Sequence, residues 1–181
     1  MSHGLAAILT GGKIVAMEVS TNLGGKCQTT GGNAIIIASA GYVGSLLWGW
    51  AIFYSGYNFD FSVWFNSFLA AFLILITANF LHGAAGIITT LVFAVIILIS
   101  PRVFPKTIHS YLMKFLGVIS CLYVIADIKE DLLTTEYRLT DAQMIADLTG
   151  IPALVIGLLW FIISIYVVYL LFRLSYKKGM K

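Results

Sequence analysis

Long stretches without a charged side chain constrain this chain more than any other feature of its sequence. No Asp, Glu, Lys or Arg lies between Lys26 and Asp60, 41 uncharged residues separate Asp60 from Arg102, and 25 separate Asp147 from Arg173. A helix that crosses a membrane needs about 20 mostly apolar residues, because it rises about 1.5 Å per residue through a hydrocarbon core of about 30 Å. The sequence therefore predicts an all-α polytopic membrane protein.

The composition excludes an ordinary water-facing domain. Hydrophobic residues make up 60% of the 181 residues and charged residues only 10%, with a mean hydropathy of +0.95, whereas soluble domains carry about 25% charged residues. The net charge of +3 comes from a few basic residues at the edges of apolar stretches, where positive charge marks the cytoplasmic side of a membrane. The implied partner is the lipid bilayer, and no nucleic acid is expected.

We expect a single integral membrane domain over residues 1–181. Its first part, residues 1–33, combines a helix end at 2–10, a short strand from Lys13 to Ser20, and a hairpin or loop whose paired glycines allow positive-φ turns. Residues 129–150 are polar and contain an amphipathic helix with Thr140 or Asp141 at its N-cap, and residues 173–181 form a basic tail. The predicted spans are 34–54, 61–80, 83–100 and 110–128, followed after the polar segment by 151–172.

The first span carries a stripe of small residues. Gly41, Ser45 and Gly49 recur every four positions, so they share one helix face. Small residues on one face let another helix approach closely inside a membrane. The stripe predicts helix packing rather than a binding site.

The turns between later spans contain two histidines. Leu81-His82-Gly83 joins the second and third spans, and His82 is expected to be an interfacial polar residue there. Pro101 and Pro105 are expected to end the third span, because proline interrupts helical hydrogen bonding. His109 is then assigned to the edge of the following loop, without a chemical role.

Charge asymmetry predicts an orientation for the chain. The Arg102/Lys106 loop lies on the same side as the tail if five spans alternate, and the acidic 129–149 segment lies opposite. Since cytoplasmic loops retain an excess of Lys and Arg, the C-terminus is expected to be cytoplasmic. The organelle is not indicated. The tail is basic through Arg173, Lys177, Lys178 and Lys181.

Two carboxylates at the end of the fourth span are candidate functional groups. Asp127 follows directly on an apolar run, and Asp131 lies one helical turn later on the same face. A carboxylate inside the membrane boundary is costly and therefore indicates function. The alternative is that the helix ends at Asp127 and that both acids are solvated.

Several segments, taken in chain order, resemble one family of membrane enzymes. The first is Ser2-His3-Gly4-Leu5-Ala6-Ala7, followed by Thr10-Gly11-Gly12-Lys13. It resembles the region that begins within the HExxH helix of site-2-protease-type membrane zinc metallopeptidases, in the branch called B-like. The Gly-rich stretch up to Asn33, the span around Ala40–Gly49, and the block from Asp127 to Asp131 are also similar. So are Thr140-Asp141-Ala142 and Thr149-Gly150-Ile151-Pro152 before Leu159-Trp160, and the resemblance covers most of the chain.

The resemblance implies a zinc site and peptide hydrolysis in or near the bilayer. Two histidines four residues apart bind Zn²⁺, and the glutamate between them acts as the general base. His3 corresponds to the second histidine, and Asp127 is the expected carboxylate ligand, with Asp131 as the alternative. The first histidine and the glutamate would precede Met1, so we expect this polypeptide to be a truncated copy or a diverged member, and inactive as written. The implied substrates are transmembrane proteins.

Two other functions remain open. A non-enzymatic member of the same fold would act as a scaffold or a substrate-binding pseudoprotease. A small transporter would use Asp127 as an ion-coupling carboxylate, although such proteins are commonly built from inverted repeats and the sequence shows none. The residues directly before Met1 would separate the enzyme from the pseudoprotease.

Overall fold

The computed structural model describes residues 1–19, 25–133 and 140–179. The described helices and strands are, in chain order, α1 (Ser2–Leu9), β1 (Lys13–Val19), β2 (Gly25–Thr30), α2 (Ala34–Ser55), α3 (Phe59–Phe80), β3 (Leu81–His82), α4 (Ala84–Val103), α5 (Lys106–Leu133), α6 (Asp141–Thr149) and α7 (Ala153–Gly179). Within these residues, five helices are long and apolar enough to cross a membrane: α2, α3, α4, α5 up to Asp131, and α7 up to Lys177. The predicted all-α polytopic fold, with its helix remnant and short hairpin, is therefore confirmed. The predicted turn of the hairpin falls on residues 20–24, outside the described residues.

The third span continues through Pro101, where the sequence predicted that it would end. Pro101 lies in the last turn of α4, which continues to Val103. Proline has no backbone N–H, so the carbonyl of Ile97 loses its helical donor. The Asn66 side chain donates to this carbonyl from α3 at 3.3 Å, and the Ser100 hydroxyl donates to it at 3.0 Å. Because neighbouring side chains satisfy the freed carbonyl, the helix tolerates the proline inside the bundle.

A small sheet covers one end of the bundle. Its strand order is β2-β1-β3. β1 and β2 are antiparallel, with Lys13 opposite Thr30, and β1 pairs with β3 in parallel through Met17–Leu81 and Glu18–His82. The turn between α3 and α4 is therefore attached to the hairpin. His82 is exposed, and its Nδ1 lies 3.0 Å from the carbonyl oxygen of Phe80.

At Gly49, the small-residue stripe of α2 packs against another helix as the sequence predicted, whereas Gly41 and Ser45 line a cavity. A Cβ added at Gly49 would lie 3.0 Å from the Gly117 carbonyl oxygen of α5, and one added at Gly117 would lie 2.5 Å from the Phe53 nitrogen of α2. The two backbones therefore almost touch at this crossing. α7 packs on the same helices, and one core cluster contains Tyr42, Leu46, Phe53, Cys121, Val124, Ile128 and Leu171.

His109 belongs to α5 and not to a loop, because α5 begins directly after Pro105. Pro105 accepts the His109 N–H at its carbonyl oxygen (3.0 Å) and so starts the helix. The His109 side chain is 1% exposed, and its Nε2 lies 2.7 Å from the Ser62 hydroxyl of α3. The expectation that His109 sits at a loop edge is therefore wrong.

Candidate functional site

A cavity of about 1030 Å³ lies at the end of the bundle that carries the sheet. It opens between α1, the hairpin, α2, the C-terminal end of α5, and the start of α6. His3, Asp127, Asp131 and Asp141 all line it. His3 and the three aspartates, which more than 120 positions of the sequence separate, therefore reach one space at this end of the bundle.

The close packing of α1 on α2 positions His3. Gly41 and Gly44 lie on the α2 face that meets α1, where an added Cβ at Gly44 would lie 2.2 Å from the Ser2 hydroxyl oxygen. On its other side, Gly4 packs against the side chains of Ile14 and Met17 in β1. Helix α1 therefore packs between α2 and the hairpin, and the His3 ring faces the cavity.

His3 contacts Asp141 directly. His3 Nε2 lies 2.8 Å from Oδ2 of Asp141 and 3.0 Å from Oδ1. The two side chains are 28% and 21% exposed, so the pair borders the cavity without being sealed from it. A Cβ added at Gly41 would lie 2.2 Å from Asp141 Oδ2 and 2.7 Å from His3 Nε2. Only glycine at position 41 leaves space for this pair.

Helix α6 brings Asp141 to the site. Thr140 is its N-cap, and the Thr140 hydroxyl accepts a hydrogen bond from the Gln143 N–H at 3.2 Å. This cap places Asp141 in the first turn of the helix, where the helix dipole favours a carboxylate. Ala142 and Ile145 pack with Ala38 of α2 and Ile156 of α7. The predicted capped helix is present, with Thr140 as its cap.

Asp127 and Asp131 line the same cavity from α5. The Tyr42 hydroxyl of α2 donates a hydrogen bond to Asp131 Oδ2 at 2.5 Å, and Tyr42 is buried. Both aspartates therefore face the cavity that His3 lines, but the carboxylate in hydrogen-bond contact with His3 belongs to Asp141. Within the described ranges, no group of three or more His, Cys, Asp and Glu side chains is arranged to hold a metal ion.

The cavity is strongly acidic. The carboxylates among its described lining residues belong to Glu18, Asp127, Glu130, Asp131 and Asp141, and they face one lysine, Lys26. A cleft with one sign of charge concentrates ions of the opposite sign. Its electrostatic potential therefore favours a cation. Burial is the main cause that raises the pKa of the Cys27 thiol, which also lines the cavity, above its usual range.

The donor atoms at the His3–Asp141 pair suit zinc. Imidazole nitrogen and carboxylate oxygen are both zinc ligands, with bonds of about 2.0–2.2 Å. Two such ligand atoms on a tetrahedral zinc lie about 3.4 Å apart, whereas His3 Nε2 and Asp141 Oδ2 lie 2.8 Å apart. The pair would supply two of the three protein ligands that catalytic zinc sites use.

One comparison with known proteins gives a match. The family model described as Peptidase M50B-like matches residues 1–171, which include α1, the hairpin, helices α2 to α6, and α7 up to Leu171. No curated protein and no solved structure matches the chain.

Proposed function

Because this chain belongs to the Peptidase M50B-like family, we propose that its acidic cavity is the zinc site of a membrane-embedded peptidase. The observation that carries the proposal is the His3–Asp141 contact, which joins α1 and α6 inside a cavity rich in carboxylates. His3 is the histidine that the HExxH resemblance assigns to zinc. The Nε2 atom of this residue already faces a carboxylate.

We assign the role of carboxylate ligand to Asp141. Asp127, which the sequence analysis favoured, is the second candidate, and Asp131 is the third. Asp141 is the aspartate in hydrogen-bond contact with His3 Nε2. Asp131 accepts a hydrogen bond from Tyr42, so part of its hydrogen-bonding capacity is already used. Asp127 lines the cavity, and its negative charge would stabilise a cation that His3 and Asp141 bind.

Bound zinc would activate a water molecule and polarise the peptide carbonyl of the substrate. The residues of this chain would hold and orient the reacting groups. His3 and Asp141 would fix the cation against α2, because Gly41 lets both side chains approach that helix closely. The general base in an HExxH motif is its glutamate, which stands three residues before the second histidine. For His3, that position and the position of the first histidine precede Met1.

The hairpin offers a way to hold a substrate. β2 is an edge strand of the described sheet, in the order β2-β1-β3, and its residues Lys26, Cys27 and Thr29 line the cavity. An extended peptide can pair with an open sheet edge through backbone hydrogen bonds. A transmembrane substrate that unwinds near the cavity would be held in the extended form that peptide hydrolysis requires.

The test compares residues 1–181 with the same polypeptide carrying His-Glu directly before Met1, which completes the sequence His-Glu-Met-Ser-His. Purified in detergent, the extended polypeptide is expected to bind one zinc ion per chain and to cleave a transmembrane peptide. Residues 1–181 alone are expected to bind zinc weakly and not to cleave. An added His-Gln pair is the control, because it should restore zinc binding without cleavage.

Three outcomes would contradict parts of this proposal. Zinc-dependent cleavage by residues 1–181 alone would refute their expected inactivity. Failure of both polypeptides to bind zinc would refute the metal site and favour a non-enzymatic scaffold of the same fold. In the extended polypeptide, loss of zinc with Asp127→Asn or Asp131→Asn but not with Asp141→Asn would move the ligand to α5.

A further inference from the structure

A second cavity lies at the opposite end of the bundle, where α2 ends and α5 begins. Its volume is about 330 Å³, equal to roughly eleven liquid waters at about 30 Å³ each. The turn from Ser55 to Tyr57, Phe59 of α3 and the first turns of α5 line it. The cavity is therefore large enough for a small charged group, and it lies far along the helices from His3 and Asp141.

Two lysines of this cavity are held by aromatic rings. Lys106 Nζ lies 4.8 Å from the ring centroid of Phe59. Lys114 Nζ lies 4.1 Å from the ring centroid of Tyr57 and 5.8 Å from that of Tyr111. All five residues line the cavity. Cation–π contact orients an ammonium group and leaves it positively charged, so two oriented cations line the cavity.

A buried histidine adds a third polar group. His109 is 1% exposed and lines the cavity. Its Nε2 contacts the Ser62 hydroxyl, while its Nδ1 has no hydrogen-bond partner among the described residues. A buried polar atom without a partner is costly. If the Ser62 hydroxyl donates to Nε2, Nδ1 carries the proton and offers a donor to an acceptor-only ligand.

Basic and apolar side chains surround this cavity, as they do where a protein meets the surface of a membrane. The described residues at this end include the basic side chains Arg102, Lys106, Lys114, Arg173 and Lys177. On the outer face of α5, Ile108 is 53% exposed, Tyr111 67% and Phe115 62%. An apolar and aromatic helix face next to a basic cavity provides contacts for both the acyl chains and the headgroup of a lipid.

We propose that this cavity binds the phosphate group of an anionic phospholipid. Phosphate is negatively charged and only accepts hydrogen bonds, which complements two ammonium groups and an imidazole N–H. The first backbone N–H groups of α5 also lack partners within the helix, and they favour an anion at its N-terminus. Basic pockets between transmembrane helices are suited to acidic headgroups. This site is independent of the proposed peptidase activity.

The test measures thermal unfolding of the full chain in a nonionic detergent, by tryptophan fluorescence, as lipid is added. Dioctanoyl phosphatidylglycerol is expected to raise the Tm in a saturable way, whereas dioctanoyl phosphatidylcholine and inorganic phosphate are not. Lys106→Gln and Lys114→Gln should each weaken the apparent Kd for phosphatidylglycerol about fivefold, which corresponds to about 1 kcal/mol. Lys114→Arg should retain binding, because it keeps the charge.

Lys177→Gln is the matched control, since it removes a lysine at the same end of the bundle but outside the cavity. An equal loss in this variant would show general surface attraction and overturn the proposal. Equal stabilisation by phosphatidylcholine would overturn it as well. Saturable stabilisation by inorganic phosphate alone, lost in Lys106→Gln and Lys114→Gln, would overturn the lipid as the source and leave a site for soluble phosphate. Size-exclusion profiles that match the parent protein would establish that each variant is folded.

Discussion

At the scale of single residues, the absence of a side chain at Gly41 shapes the candidate zinc site. Position 41 faces both members of the His3–Asp141 pair, and a methyl group there would overlap with both. The atoms that it would meet are the ends of side chains rather than backbone atoms. A substitution should therefore disturb the site more than the fold.

Gly41→Ala is expected to separate His3 from Asp141. Alanine gains up to about 1 kcal/mol of helix propensity over glycine, so the Tm should remain near that of the parent chain. In the polypeptide that carries the complete HExxH motif, zinc affinity should fall about tenfold or more, as it does when groups that orient metal ligands are lost. Calorimetric titration with zinc measures this.

Gly25→Ala is the control for Gly41→Ala. The nearest atom to a Cβ at position 25 is the Glu18 carbonyl oxygen at 3.7 Å, an ordinary contact. Zinc affinity should therefore be unchanged in this variant. Unchanged zinc affinity in Gly41→Ala would show that the close approach at this position does not support the site.

The sequence predicts the carboxylates of α5 as ligands, whereas the carboxylate in contact with His3 is that of Asp141. Asp127 and Asp131 were predictable as cavity residues, because a carboxylate at the end of an apolar run is costly without a role. For Asp141 the sequence predicts a possible N-cap and a place in a segment that resembles the family, but no metal ligand. Its approach to His3 depends on how the polar segment after α5 folds back onto α2, and hydropathy does not specify that path. The Thr140 cap next to an acidic residue was the signal available.

At the scale of secondary-structure elements, the crossing of α2 and α5 brings the backbones of two long helices close together. A single Cβ atom added at Gly117 would lie 2.5 Å from the Phe53 nitrogen and 2.6 Å from the Gly49 carbonyl oxygen. These are backbone atoms, which cannot move without the helix. The distance between the two helices therefore depends on glycine at this position.

Gly117→Ala is expected to destabilise the protein. Overpacking costs about 1–3 kcal/mol, which exceeds the gain of up to about 1 kcal/mol in helix propensity. Thermal unfolding in detergent should show a lower Tm than in the parent, while Gly25→Ala stays near the parent value. A Tm for Gly117→Ala at or above that of the parent would refute the close crossing.

The cap of α6 affects the candidate site through the position of Asp141. Thr140→Ala removes the acceptor for the Gln143 N–H and should cost about 1 kcal/mol, because the donor loses its partner. Hydrogen exchange at residues 141–144 should become faster. Thr140→Ser should restore slow exchange, since it keeps the hydroxyl.

Gln143→Ala is the comparison for the cap variant. It removes the exposed Gln143–Asp147 hydrogen bond at 2.7 Å but keeps the backbone N–H that the cap holds. It should leave exchange in the first turn of α6 unchanged. Equal acceleration in Thr140→Ala and Gln143→Ala would show that the cap does not fix this turn.

The elements were largely predictable because a membrane restricts the possible structures. Uncharged stretches long enough to cross a bilayer must form helices, since every backbone polar group needs an internal partner there. The small-residue stripe correctly predicted a close helix contact. The predicted end of α4 at Pro101 is wrong, because the effect of this proline depends on Asn66. That residue lies 35 positions earlier and supplies the missing donor. Sequence periodicity does not reveal such compensation across helices.

At the scale of the whole molecule, the two ends of the bundle differ in charge. The end with the sheet contains the acidic cavity, and the other end carries Lys106, Lys114 and the described part of the basic tail. This separation supports the prediction that the C-terminus faces the cytoplasm. In that orientation, the candidate zinc site would open toward the opposite face of the membrane.

Cysteine labelling tests this orientation. In a background with Cys27→Ala and Cys121→Ala, Lys13→Cys places a thiol at an exposed position of β1, and Lys177→Cys places one at an exposed position near the end of α7. In intact cells or sealed vesicles, a membrane-impermeant maleimide should label Lys13→Cys from the non-cytoplasmic side and leave Lys177→Cys unlabelled. Permeabilisation should make both accessible. The reverse pattern would invert the topology.

The short parallel pairing of β1 with β3 has a consequence for the order of folding. Met17 and Leu81 are paired although 64 positions separate them, and two membrane-spanning helices lie in the intervening loop. The β1–β2 hairpin is local and can form early, whereas closing a loop of this length costs entropy that later contacts must offset. β3 can join the sheet only after α2 and α3 have both been inserted. Completion of the sheet during biosynthesis therefore marks the point at which the first helical hairpin of the bundle is in place.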